Sequence, residues 1–337
     1  MSLSFEKLQG TYLNDLLAQP AALRRTAESL APEPALEAVA GNLRAGRLHR
    51  VVLTGMGGSY HLLTPLHLRL TAAGFDSILV ETSELLHAMP ALLHPRNVVL
   101  ALSQSGASAE IVRLIEHEGP LYLGVTNTPG SPLARKAHAV VFTQAGEEGG
   151  VACKTSVTAL VALDWVARHF EAGLLEKWDP SRAADAYLSR WREHVAALVS
   201  QLDGVERAFF TGRGPSMAAA GLGAMLQKEA AHFHGEGMSS AALRHGPFEM
   251  LGPGSLAVVY EGTVGRNLNI RLVDDVRATG AKSFLCGPSA EDGPFRLSEA
   301  NPVLELLPAQ MLSLAAAYRA GREPGKFERI TKVTDAE

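Results

Sequence analysis

Val98-Val99-Leu100-Ala101-Leu102-Ser103-Gln104-Ser105-Gly106-Ala107-Ser108 is the stretch on which the fold turns. An apolar run ends abruptly in hydroxyls, an amide and a glycine, and the apolar-periodic segment Ile111 to Ile115 follows at once. That pattern predicts a buried strand, a polar turn and then a helix. Ser103, Gln104, Ser105 and Ser108 would stand at the helix N-terminus, where free backbone N–H groups and the positive end of the dipole favour an anion. A phosphate suits such a turn without a Lys or Arg. A plain N-cap and polar turn is also written with serines, so this segment alone leaves both readings open.

Working outward, strands and helices alternate. Arg50 to Leu53 reads as a short buried strand ending in Thr54-Gly55-Met56-Gly57-Gly58-Ser59. Further strands are expected at Ser77 to Val80, Asn97 to Leu102, Leu121 to Val125 and Ala139 to Phe142, with a helix over Tyr60 to Ala73. This alternation predicts an α/β protein with a doubly wound parallel sheet. The first 45 residues show helical spacing, and Ser156 to Glu171 and Ser181 to Leu202 read as long helices.

The pattern then restarts. Arg207 to Phe210 is a strand ending in Thr211-Gly212-Arg213-Gly214-Pro215-Ser216, which repeats the turn at Thr54 157 positions later. The same shift carries Val99–Leu102 onto Leu256–Val259. We read an internal duplication of one α/β domain. The expected division is a helical segment over 1–45, a first domain over 46–175, a helical link over 176–203 and a second domain over 204–337. The shift sets Ser103–Ser108 against Tyr260–Gly265, which lacks most of the hydroxyls. The first copy alone is therefore expected to hold phosphate well.

Composition narrows the function. A chain of 337 residues, 47% hydrophobic, has room for about two domains with cores of their own. A net charge of -4 argues against a nucleic-acid or anionic-membrane partner. No apolar run is long enough to span a bilayer, and the polar start MSLSFEKLQG does not read as a secretory signal. A cytoplasmic location is the expectation. Neither Cys153 nor Cys286 belongs to a CxxC pair, so no zinc site or disulfide framework is expected.

Gly55-Met56-Gly57 hints at a dinucleotide loop, but Tyr60 stands where the third glycine belongs, and Glu81 lies further along than a ribose-binding acid usually does. The acid–base candidates lie in the second half. Glu229, His232 and His234 are expected on the helix from Ser216, and His245 precedes Gly246-Pro247. Glu229 falls in the apolar-rich run Leu222 to Phe233, where partial burial would raise its pKa and suit it as a base; a solvated glutamate on the helix face is the alternative. Glu229 and His232, three apart, could share a face toward a metal, but one pair supplies too few ligands. No metal is expected.

Ser103-Gln104-Ser105-Gly106 and Gly57-Gly58-Ser59-Tyr60-His61 resemble the phosphosugar loops of the sugar isomerase (SIS) domain superfamily. Glu147 to Thr155 is similar to that family's loop leading into its long helix. Gly223 to Glu229 with Leu243-Arg244-His245-Gly246-Pro247, and the tail Pro324 to Thr334, resemble the isomerase half of glucosamine-6-phosphate synthases.

The resemblance implies two tandem SIS domains, each a five-stranded parallel sheet flanked by helices, flavodoxin-like. It implies contacts to phosphate and sugar from Gly57, Gly58, Ser59, Ser103, Gln104, Ser105, Ser108, Val151 and Cys153. It implies Glu229 as the group that moves a proton between C1 and C2. His245 would assist ring opening from the neighbouring subunit of a homodimer, and Lys332 falls near an imine-forming tail lysine.

The departures redirect this reading. Glutamine-dependent amidotransfer is not expected, because no cysteine lies near Met1 and the chain has no room for a glutaminase domain. Leu226 stands where the synthases carry a lysine, and Cys153-Lys154-Thr155 where they carry Ser-Thr-Lys. These changes resemble stand-alone phosphosugar isomerases, deaminases and fructosamine-6-phosphate deglycases. The substrate implied is a small phosphorylated sugar, with no cofactor. The rival reading is a silent sugar-phosphate sensor; the segment before the first strand lacks the basic recognition helix of a regulator.

Overall fold

The computed structural model describes residues 5–171, 173–329 and 331–332. The chain forms two compact units. One comprises the described parts of Met1–Pro20, Glu148–Cys153 and Pro180–Arg329; the other comprises Ala21–Glu147, Lys154–Asp179 and the described part of Ile330–Glu337.

The unit from Ala21 holds strands β1 (Arg50–Gly55), β2 (Ser77–Glu81), β3 (Asn97–Leu102), β4 (Leu121–Thr126) and β5 (Ala139–Phe142). They form a parallel sheet of order β2-β1-β3-β4-β5. Every residue of β3 is buried, as the apolar run predicts for a central strand covered on both faces. Val52, Val99 and Ala101 pack with Ile111, Leu114 and Tyr122 in one core cluster. The expected helix over Tyr60 to Ala73 is two helices, Gly58–Leu62 and Thr64–Ala72. The break falls just before Pro65, which has no N–H to continue the ladder.

The other unit holds β6 (Arg207–Gly212), β7 (His234–Ser239), β8 (Ser255–Tyr260) and β9 (Lys282–Cys286) in the order β7-β6-β8-β9. The expected second five-stranded sheet therefore has four strands. Beyond β9 the chain makes a loop closed by a single parallel bridge, Gly287 to Arg296, where a fifth strand would lie. Pro288 and Pro294 interrupt this segment, and neither can donate to a ladder.

Two further expectations change. The single helix over Ser181 to Leu202 is two, Ser181–Leu188 and Trp191–Gln201, separated at Arg190 (φ −97, ψ 14). The helix after Ser216 runs from Met217 to Ala231 and stops at His232 in the left-handed conformation (φ 50, ψ 38). His234 opens β7. Glu229 and His232 thus do not share a helical face, and the possible metal pair is withdrawn. No group of metal-binding type is present among the described residues.

The two sheets repeat one topology, β6 standing as β1 and β8 as β3. Their register differs from the sequence shift by one residue. Val52 pairs with Val99, whereas Phe209 pairs with Ala257, so Val99 corresponds to Ala257 and not to Leu256. The turns agree: Ser103 N–H donates to the Val125 carbonyl at 3.1 Å, and Glu261 N–H to the Cys286 carbonyl at 2.9 Å. The counterparts of Ser103 and Ser108 are therefore Glu261 and Arg266.

Candidate active site

In the unit from Ala21, the turn after β3 is held by its backbone. The Gln104 carbonyl accepts from the Asn127 N–H at 3.0 Å and from Thr126 Oγ1 at 3.1 Å. Gly106, at φ 62, lies so close to Ser131 that a Cβ there would overlap the hydroxyl. Ser103 Oγ accepts from the Gly106 N–H at 3.1 Å and Ser105 Oγ from the Ala107 N–H at 3.2 Å. Each hydroxyl keeps its own proton for an outside acceptor. Ser108 is the N-cap of the helix Ala109–Glu116 but makes no side-chain capping bond. The arrangement leaves amides and hydroxyl protons at one helix N-terminus, which is anion chemistry.

Gly57 (φ 52) turns the chain out of β1 into the helix that opens with Gly58 and Ser59. β1 and β3 are the adjacent strands at which the sheet order reverses, and the crevice outside such a pair is where ligands bind in open α/β sheets. Lys332 is half-buried. Val333 and Thr334, the end of the tail segment singled out above, lie outside the described residues, as does Ile330.

The other unit carries Glu229, His245 and the segment Glu148–Cys153. Glu229 is half-buried near the end of the helix Met217–Ala231, and burial pushes its carboxyl up to about 7, against a small downward pull from Lys228. Such a group exchanges protons readily near neutral pH. Glu148 is buried, and its Oε1 accepts the Cys153 N–H at 3.1 Å, closing the segment into a strap around buried Val151. Asp15 Oδ2 accepts the Gly149 N–H at 3.2 Å.

Tyr12, which no sequence pattern singled out, lies within electrostatic reach of both Glu229 and the Glu148–Cys153 segment. It is fully buried and donates to Ser313 Oγ at 3.0 Å, since Ser313 gives its own proton to the Gln310 carbonyl. Burial raises its phenol pKa well above the usual value, and the charges of Cys153, Glu229 and Glu148 push the same way. Gly325 presses against its ring and donates to the Ala230 carbonyl at 3.0 Å, next to Glu229. His245 is exposed at the end of the short helix Ser240–Arg244.

The counterpart turn after β8 is filled by its own charges. Glu261 is buried, pairs with Arg266 at 2.5 Å and accepts the Ser289 N–H at 2.7 Å. A carboxylate stands where the first copy offers Ser103, which disfavours an anion there.

A family model described as SIS domain matches residues 47–168. The matched range covers all five strands of the first sheet; the expectation of a second SIS domain over 204–337 rests on repeated topology. The glutamine--fructose-6-phosphate aminotransferase [isomerizing] of Pyrococcus horikoshii is 28% identical over 91% of this chain. The alignment covers 56% of that relative, so the chain spans just over half the length of the curated relatives it matches. Two solved structures share this chain's fold. The C-terminal domain of glucosamine-fructose-6-phosphate aminotransferase from Francisella tularensis superposes with a TM-score of 0.75 at 21% identity, covering 96% of this chain and 100% of that one. The glucosamine-6-phosphate deaminase of Thermotoga maritima gives 0.76 at 17% identity, covering 97% and 100%. No helix among the described residues is long and apolar enough to cross a membrane.

Proposed function

We propose that this chain is an enzyme that moves a proton between C1 and C2 of a 6-phosphorylated ketose, amino sugar or fructosyl-amine. Isomerase, deaminase and deglycase are the three outcomes of that one step. The observation that carries the reading is Glu229, a carboxyl raised by burial to about 7 within the unit that also holds the Glu148–Cys153 strap. Phosphate binds at Ser103, Gln104, Ser105 and Ser108, with Gly57, Gly58 and Ser59 beside the sugar chain. Val151 and Cys153 line the sugar.

His245 helps open the ring, reaching the site from the partner in a homodimer. Glu229 then takes the proton beside the carbonyl or imine carbon and returns it to the neighbouring carbon through a cis-enediol or enolamine. An amino sugar yields a ketose imine that water hydrolyses to the ketose phosphate and ammonia; a fructosyl-amine yields an aldose imine that water hydrolyses to the aldose phosphate and the free amine. Lys332 is the candidate for imine formation with a ketose. The names of the relatives, an isomerizing aminotransferase and a deaminase of amino-sugar phosphates, agree in substrate class.

The test is a panel of 6-phosphorylated ketoses, amino sugars and fructosyl-amino acids, followed by product NMR, with Glu229→Gln alongside. The expected result is turnover of one class, reduced about 10²–10⁴-fold by the substitution with binding retained. Binding without turnover across the whole panel by the unsubstituted chain would make it a sensor and end the enzymatic reading.

A further inference from the structure

The strand that the second sheet lacks leaves a cleft of about 210 Å³ at its open edge. Its floor is Ile270 and Val273 of the helix Arg266–Arg277, with Phe284 and Leu285 of β9. Its outer wall is the loop from Ser289 to Phe295. In the first sheet the corresponding edge is closed by β5 pairing along β4 over four residues. Here one bridge replaces that pairing, and Phe284 and Leu285 are left half-buried.

The wall is built in place. Gly287 N–H donates to the Phe295 carbonyl at 3.0 Å, Arg296 Nη1 to the Ala290 carbonyl at 2.7 Å, and Tyr187 to the Pro294 carbonyl at 2.6 Å. Phe295 stacks on Phe284 with ring centroids 4.9 Å apart. A cleft with fixed walls costs a ligand little reorganisation.

Its polar groups nearly all accept. Gln201 Oε1 is buried at the cleft with no hydrogen-bond partner among the described residues. Asp274, Glu291 and Asp292 stand at the rim against one lining guanidinium, Arg277, whose Nε is already committed to the Ser283 carbonyl at 3.1 Å. Asp274 and Asp292 have arginine partners at 3.5 and 3.7 Å, whereas Glu291 has none among the described residues. An apolar floor, an aromatic wall, an orphaned acceptor and an acidic rim fit a flat apolar body bearing a protonated amine.

We infer that this edge cleft is a second ligand site, for a small organic cation of that class, separate from the phosphosugar chemistry. Three probes of one shape distinguish it from a generic greasy cleft: phenethylamine, 2-phenylethanol and 3-phenylpropanoate, each titrated into the full chain with backbone amide NMR. The expected result is saturable phenethylamine binding at about millimolar Kd, with shifts at Ala290 and Gly293. The alcohol and the carboxylate should bind at least about tenfold more weakly, the loss of one charge-assisted interaction. Glu291→Gln with Asp274→Asn, both exposed positions, should weaken the amine roughly fivefold or more, and Gln201→Leu should do the same. Equal affinity for the alcohol, preference for the carboxylate, an amine Kd unmoved by the exposed-residue double variant, or no saturation by about 10 mM would each overturn the assignment.

Discussion

Glu148 Oε1 accepts the backbone N–H of Cys153 at 3.1 Å, so a buried carboxyl five residues back sets the path of the strap. The donor is buried as well, and removing its partner would strand it. Glu148→Ala is expected to cost about 1.5–3 kcal/mol in urea unfolding, whereas Glu148→Gln, which keeps the acceptor oxygen, should cost less than about 1. If Val151 and Cys153 line the sugar as proposed, kcat/KM should follow the same order. Equal unfolding midpoints for the two variants would show that the bond does not hold the strap.

A carboxyl whose pKa sits at about 7 makes a pH-dependent base. Glu229 must be ionised to accept a proton, so kcat/KM should rise with pH, reach half its maximum near 7 and flatten above. Lys228 is the one charge that pulls this pKa down, and it is exposed. Lys228→Gln should therefore move the midpoint slightly to the alkaline side while leaving the plateau rate unchanged. A profile with its midpoint in the ordinary carboxylate range would remove Glu229 from the role of base.

Gly106 is the residue on which the phosphate turn depends. It holds φ 62, and a Cβ would overlap Ser131 Oγ and lie 3.0 Å from Thr126 Oγ1. Gly106→Ala combines left-handed strain of about 1 kcal/mol with that overlap, so a loss of about 2 kcal/mol or more is expected. KM for a phosphorylated substrate should rise by roughly tenfold or more, since the turn must shift to relieve the contact. An unchanged KM would move the phosphate elsewhere.

Strands buried on both faces were legible because burial on both sides writes a continuous apolar run, as in β3 and β8. β7 was not. His234-Gly235-Glu236-Gly237-Met238-Ser239 carries no strand pattern, and its glycines answer to a neighbour. A Cβ at Gly235 would lie 2.8 Å from the Ala224 carbonyl, and one at Gly237 would run into that of Ala220, both on the helix Met217–Ala231. The site divides in the same way. The hydroxyl turn and Glu229 announce themselves by composition and by an apolar setting. Tyr12 does not, because its part is set by Ser313 and Gly325, 301 and 313 positions along the chain. The one-residue slip between the copies was equally invisible, since an apolar strand reads alike in either register until pairing fixes it.

Glu305 lies fully buried at the start of the helix Pro302–Arg319. Oε1 accepts from Ser216 at 3.0 Å, and Oε2 has no partner among the described residues. Burial pushes its carboxyl up to about 7; the Ser216 bond opposes and the Glu261 charge adds to the rise. The folded chain therefore keeps a proton at Glu305 that the unfolded chain has already released above pH 4.5. Stability from this group is fully present below that pH, falls as pH rises toward about 7, and is flat beyond. A shift of this size corresponds to about 3 kcal/mol over the window. Glu305→Gln keeps an acceptor for Ser216 and removes the titration. Its urea midpoint should match the parent near pH 4.5 and exceed it at pH 8. Glu229 titrates over the same range, so the comparison is made in a Glu229→Gln background as well as in the parent. A Glu305→Gln chain that loses stability with rising pH as steeply as the parent, in both backgrounds, would assign the loss to other groups.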